Sequence, residues 1–226
     1  MIHLPNFFHW NSTNKKEILN NTTWHESGHA VFANIFKDHL VIQKVTILPN
    51  EYGKGVNIIS SKKLNETYID DFHLIIVNLA GLVVEMMKDK RSNDNAYLPI
   101  INYLLRRLKQ GNDIKDSFDG DFLNIQEPLT RLSESIQKPK DKILAMAMLY
   151  IANCLTKCLE FWPAIDALTE ELDKTKTLLN KEINDVFNRI GFNQFLNDSK
   201  ERFLEESIRI LKDNDIVNKS FMMLTG

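Results

Sequence analysis

Residues Thr22–Phe36 read TTWHESGHAVFANIF, and the fold turns on whether this stretch is one helix. Residues four apart on a helix stack on one face, about 6 Å along the axis, so His25 and His29 could converge on one metal ion. The favoured reading starts the helix near Lys15 or Lys16 and runs it through KEILNNTTWHESGHAVFANIFKD, burying Ile18, Leu19, Ala30, Val31, Ile35 and Phe36. A rival reading caps a shorter helix at Thr23, with Glu26 three residues later completing a capping box. The two readings compete for one carboxylate, because a Glu26 bonded back to a cap is poorly placed to accept a proton.

The rest of the chain sets the context. It has 226 residues, 43% hydrophobic and 26% charged, a composition that fits a globular protein with a sizeable core and excludes a disordered or collagen-like chain. A formal charge of -2 gives no overall attraction to nucleic acid or to an anionic membrane. The apolar run Ile143–Ala152 is soon interrupted by Asn153 and Lys157, well short of the roughly 20 residues a membrane helix needs. The start, MIHLPNFFHWNSTNKK, has no basic region followed by an apolar run, so a secretory signal is not expected and the cytoplasm is the default location. Cys154 and Cys158 lie four apart in an apolar helical segment, a poor geometry for a local disulfide, and read as reduced core residues.

The pattern around the opening helix predicts a mainly α fold with a small antiparallel β element. HLVIQKVTILP and GKGVNIIS read as two strands of a hairpin, whose edge could accept an extended peptide or serve only as scaffold. NETYIDDFHLIIVNLAGLVVEMMKDK reads as a buried helix in which Ala80 and Gly81 allow close approach to the histidine-bearing helix. Glu85 sits in that apolar stretch and needs a partner there. It could ligate a metal, support a ligand histidine or form a structural ion pair.

AYLPIINYLLRRLKQ is expected to be helical, and SFDGDFLNIQEPLTRLSESI to contain a short helix punctuated by Pro128. Pro139 marks a boundary before a long apolar helix ending around Leu159. From Trp162, two helices joined by a polar turn are expected, and ERFLEESIRILKD supplies another amphipathic helix. The expected organisation is a domain over 1–195 and a helical extension over 196–226 packed on it.

HESGH matches the HExxH pattern of zinc metallopeptidases. His25 and His29 would be paired ligands, a carboxylate the third, and the open fourth position would take water. Glu26 would act as general base and then acid. The competing reading makes the histidines core or capping residues. His3, His9, His39 and His73 have no comparably spaced partners and read as structural or surface residues.

Several segments together resemble the zinc peptidase domain of the FtsH protease family. TTWHESGHAVFANIF resembles its zinc helix, VIQKVTILPNEYGKGVNI the following β segment, VNLAGLVVE the next helix, and FWPAIDALTEELDKTKTLLNKEI a later helix pair. The resemblance covers much of Thr22–Ile183 with gaps. It implies hydrolysis of peptide bonds with zinc as cofactor, the two motif histidines and a downstream aspartate as ligands. Asp121 in SFDGDFLNI is the leading candidate, Asp94 in RSNDNAYLPI its rival, and Glu85 a third.

The family's full-length proteins also carry membrane helices and an AAA ATPase, whereas this sequence contains no GxxxxGK[ST]. A stand-alone, ATP-independent endopeptidase of flexible or unfolded polypeptides is therefore expected, with room for a separate substrate-delivery partner or an oligomer. The alternatives are a catalytically inactive, peptidase-like interaction module and a zinc hydrolase of nonpeptide amides.

Overall fold

The computed structural model describes residues 15–48, 56–61, 67–91, 119–213 and 215. The stretch that opened the sequence is one continuous helix, α1 (Lys15–Ile35). Thr23 lies in its interior and donates to Asp173 Oδ1 at 3.0 Å, so the shorter helix capped at Thr23 does not form. Ala30, Val31, Phe32, Ala33 and Phe36 are buried. Because burial of that face outweighs the weak helix propensity of Asn20, Asn21, Thr22 and Thr23, α1 passes through all four without a break.

A turn over Phe36–His39 leads into β1 (Leu40–Thr46), which pairs antiparallel with β2 (Val56–Ser61). Leu40 and Ile42 face the core, and beyond Gln43 so do Val45 and Ile47. The inward set changes parity because the ladder with β2 shifts register between Ile42 and Lys44, leaving Gln43 as an extra, exposed residue.

Helix α2 (Tyr68–Met87) opens on a reciprocal capping box, in which Thr67 and Asp70 satisfy each other's backbone N–H groups. It is buried along most of its length and ends in a short 3-10 turn, Lys88–Lys90. Helix α3 (Asp119–Ile136) runs through Pro128, where a short helix punctuated at that proline was expected. Phe122, Ile125, Leu129 and Leu132 are buried at helical spacing, which offsets the roughly 3 kcal/mol that an interior proline costs.

Helix α4 (Lys140–Lys157) follows Pro139 and is buried from Ile143 to Ala152. Both cysteines are free, with Cys154 buried. Cys158 departs from the expected core position: it stands half-buried at the end of α4, where Arg202 donates to its Sγ at 3.2 Å. Among the described residues no single helix is long and apolar enough to cross a membrane.

Helix α5 (Phe161–Thr175) is followed by a third strand, β3 (Thr177–Leu179), where a polar turn was expected, and then by α6 (Asn180–Arg189). The strand is only three residues long and forms because β1 offers an edge, giving the order β2-β1-β3. Lys176, in the left-handed region at φ 65°, turns the chain out of α5, and its carbonyl accepts from Ile47 N–H at 3.0 Å. Helix α7 (Phe192–Lys212) closes the described chain, and residues 195 and 196 both lie inside it. The fold is thus mainly helical with a small antiparallel sheet, and α1 is wedged between α2, α5 and β1. The helix expected over AYLPIINYLLRRLKQ, the aromatic FFHW stretch and Asp94 lie outside the described residues.

Candidate metal centre

The centre lies where α1 crosses α2, and glycines make the crossing close. A Cβ on Gly28 would meet the Ala80 carbonyl oxygen at 2.9 Å, and one on Gly81 would meet His29 Nε2 at 2.5 Å. These distances are too short for any side chain, so the pair of glycines sets how deeply the His25–His29 face sits against α2.

On that face three ligand atoms converge. His25 Nε2 stands 3.0 Å from His29 Nε2, and Asp121 Oδ2, from the first turn of α3, lies 2.9 Å from the former and 3.3 Å from the latter. The imidazole rings meet edge to face, with interplanar angle 82°. Helix α3 is fastened to α2 by Arg131, which donates through Nη2 and Nε to the buried Asp71 carboxylate at 2.6 and 3.2 Å.

The outer nitrogens fix the tautomers. His29 Nδ1 lies 2.7 Å from the Val77 carbonyl oxygen, which can only accept, so this nitrogen carries the proton. His25 Nδ1 lies 3.2 Å from Glu85 Oε2 and donates to it. In the neutral imidazoles both Nε2 atoms therefore present lone pairs, and Asp121 adds an oxygen lone pair. Three electron-rich atoms that close repel one another unless a cation sits among them. The group His25, His29 and Asp121 could hold a metal ion.

Without an ion, a proton takes that part. Burial alone depresses the His25 pKa, but hydrogen bonds to Asp121 and Glu85, with the charges of Asp121 and Glu26, lift it well above the ordinary histidine value. His29 is raised too: burial is again the largest opposing effect, outweighed chiefly by the charge and hydrogen bond of Asp121. Burial pushes the Asp121 carboxyl up, yet the two imidazoles hold it well below the usual carboxylate range.

Of the two candidate third ligands among the described residues, Asp121 stands beside both Nε2 atoms, whereas Glu85 contacts His25 from the opposite ring nitrogen. Glu26 is buried at 5% exposure, and its charge is felt at both imidazoles. Of the histidines read as structural, His73 is buried against Phe36, with ring centroids 3.9 Å apart, and His39 is half-buried beside Asp70 at 3.3 Å.

Sequence reasoning missed the far side of α1, where α5 supplies a row of polar partners. Thr169 Oγ1 donates to Ser27 Oγ at 3.0 Å, one turn from the Thr23–Asp173 bond. Arg91, at the end of α2, stacks between Trp24 and Trp162 at 4.6 and 4.3 Å and pairs with Asp166 through two bonds of 2.7 and 2.8 Å. The i, i+3, i+7 spacing of Asp166, Thr169 and Asp173 was legible, but nothing local says what it faces. Scanned against protein-family models and curated proteins, the chain matches none.

Proposed function

We propose that this chain is a zinc-dependent hydrolase of peptide bonds, of the FtsH peptidase type, acting on flexible or unfolded polypeptides. The observation that carries the reading is the mutual approach of His25 Nε2, His29 Nε2 and Asp121 Oδ2, all within 2.9–3.3 Å. Ligands 2.0–2.1 Å from a tetrahedral zinc stand about 3.3–3.4 Å apart, so this group fits zinc with an outward shift of a few tenths of an ångström. Two imidazoles and one carboxylate make a donor set typical of catalytic zinc, with a coordination position left for water or substrate.

Bound zinc would supply Lewis acidity toward a carbonyl oxygen and toward water. The chain's own residues do the rest. Val77 and Glu85 hold the two rings in the ligating tautomer. Glu26, one residue from His25 on the same helix, accepts a proton from the attacking water and returns it to the leaving nitrogen. Its burial keeps the carboxylate out of bulk solvent, where proton transfer would be less directed. The continuous α1 removes the helix start at Thr23 that the rival reading of Glu26 required.

The test is zinc stoichiometry together with cleavage of a diverse unfolded-peptide pool by the native protein and by Glu26→Gln. One zinc per chain is expected, with cleavage reduced at least about a hundredfold in a variant that stays folded and metal-bound. Equal cleavage by both proteins rejects Glu26 as base. Failure to retain zinc after reconstitution rejects the centre itself.

A further inference from the structure

One turn beyond His29, about 6–8 Å further along α1, Ala33 and Asn34 open onto a groove of about 340 Å³ between α1, β1 and α6. This volume lies at the lower end of the range for ligand sites. Its floor is aliphatic, with Ile42 and Ile183, and its polar lining is dominated by three carboxamides, Asn34, Asn180 and Asn184. Asn180 donates to the Ile42 carbonyl oxygen at 2.6 Å, and Asn184 Nδ2 donates to the Asn180 carbonyl oxygen at 2.8 Å and to Asn180 Oδ1 at 3.1 Å, which leaves Asn184 its oxygen. Asn34 is only 5% exposed, yet its amide makes one bond, donating to Asn193 Oδ1 at 2.8 Å. Its carbonyl oxygen accepts from no described residue. Buried carboxamides normally use more of their capacity, so the second N–H and the oxygen of Asn34 form an open donor–acceptor pair.

The rest of the lining narrows what could fill it. Lys37 Nζ donates to Asn197 Oδ1 at 2.7 Å, and Asp38 pairs with Lys200. With both charges at the rim engaged, a strongly charged ligand has little to recruit it. None of the described lining residues is aromatic, which removes the stacking platform used for nucleobases. A peptide group presents one N–H and one C=O, the complement of a carboxamide.

We infer that this groove binds an extended polypeptide through its main chain, with the open N–H and oxygen of Asn34 pairing with one peptide group and Asn184 Oδ1 accepting from another over the Ile42–Ile183 floor. Recognition through the main chain tolerates any side-chain sequence and requires a locally unfolded segment. The purpose of such a groove, holding substrate one turn from His29, rests on the peptide-hydrolase reading; the binding itself does not.

The experiment uses the full chain, zinc-loaded and carrying Glu26→Gln to prevent turnover, with a fluorescein-labelled unstructured decapeptide followed by anisotropy. A sequence-scrambled decapeptide is expected to bind within about threefold of the first. An analogue N-methylated at alternate backbone nitrogens loses at least tenfold. Asn34→Leu lowers affinity at least tenfold, and the half-buried Asn184→Ala, whose own bonds run only to Asn180 of the same helix, lowers it severalfold with zinc content and thermal midpoint retained. Undiminished binding by Asn184→Ala together with Asn34→Leu, or by the N-methylated analogue, overturns the inference. Adding Asp121→Asn separates the two readings: peptide binding that persists without zinc keeps the groove even if hydrolysis is never seen, and cleavage without Asn-dependent binding removes the groove alone.

Discussion

Gly81 of α2 faces His29 of α1 with no room for a side chain, since a Cβ at Gly81 would come within 2.5 Å of His29 Nε2 and 2.8 Å of the His25 carbonyl oxygen. His29 Nε2 is thus seated against bare backbone. Gly81→Ala forces the His29 ring or the helix to move, an overpacking of about 1–3 kcal/mol. Zinc affinity is expected to fall at least tenfold, read by competition with a chromogenic chelator. Unchanged affinity would show that the contact does not set the ring's position.

Glu85 accepts from His25 Nδ1 at 3.2 Å and so holds the proton on the nitrogen that faces away from Asp121. Glu85→Leu removes that restraint while keeping an apolar helix face. Losses from such partners run to about 10–100-fold in metal affinity, and a titration of folded protein checks it. Glu85→Gln, which can still accept, should lose less.

Ion binding must displace the proton that His25 and His29 hold when metal is absent. Both have raised pKa values, so zinc uptake near neutral pH is expected to release about one to two protons. Calorimetry in buffers of different ionisation enthalpy measures the number. In the metal-free protein the sign follows from the raised values. The protonated cluster contributes stability that is fully present below the unfolded histidine pKa and is lost as pH rises through the higher folded values. Zinc removal by a chelator should therefore destabilise the protein more at alkaline than at mildly acidic pH.

His73 behaves in the opposite sense. Burial, with the neighbouring His39 charge, lowers its pKa from 6.5 to about 3, partly countered by Asp70. Its Nε2 bonds Ser207 Oγ at 3.1 Å, and its buried Nδ1 has no hydrogen-bond partner among the described residues. Above pH 6.5 the group is neutral in both folded and unfolded chains and contributes nothing to pH dependence. Between 6.5 and 3 the unfolded chain takes up a proton that the folded one refuses, so stability falls by up to about 1.4 kcal/mol per pH unit. His73→Phe, which keeps the stack on Phe36, should flatten that part of a urea-denaturation series; an unchanged slope would contradict the assignment.

Arg91 joins three helices through two indole faces and the Asp166 carboxylate. Arg91→Lys keeps the charge but not the planar fork or the stacking. A loss on the order of 1–3 kcal/mol is expected. Tryptophan emission should shift as Trp24 and Trp162 lose their shared partner, measured by denaturation and fluorescence together.

Local pattern carried much of this structure. The periodicity of Lys15–Ile35, the length of the apolar run in Tyr68–Met87 and the proline before Lys140 follow from propensity and spacing, which act within a turn or two of chain. HESGH placed two imidazoles on one face of a helix for the same reason. Thr67 and Asp70 of the α2 capping box were equally local, three residues apart, and passed unread behind the apolar run.

What lay beyond reach depended on partners distant in sequence. The strand Thr177–Leu179 is too short to show a period and exists because β1 needed a neighbour. Pro128 stays inside α3 because the helix's apolar face is buried against α2, α4 and the core. Choosing between Asp121 and Glu85 required knowing which carboxylate is carried to the Nε2 atoms of His25 and His29 when α3 docks on α2, 96 residues from His25 in the case of Asp121. Sequence by itself determined that two imidazoles would share a helix face. Tertiary packing decided that a carboxylate would meet them there, because the docking of α3 on α2, driven by burial far from the motif, carries Asp121 to both imidazoles.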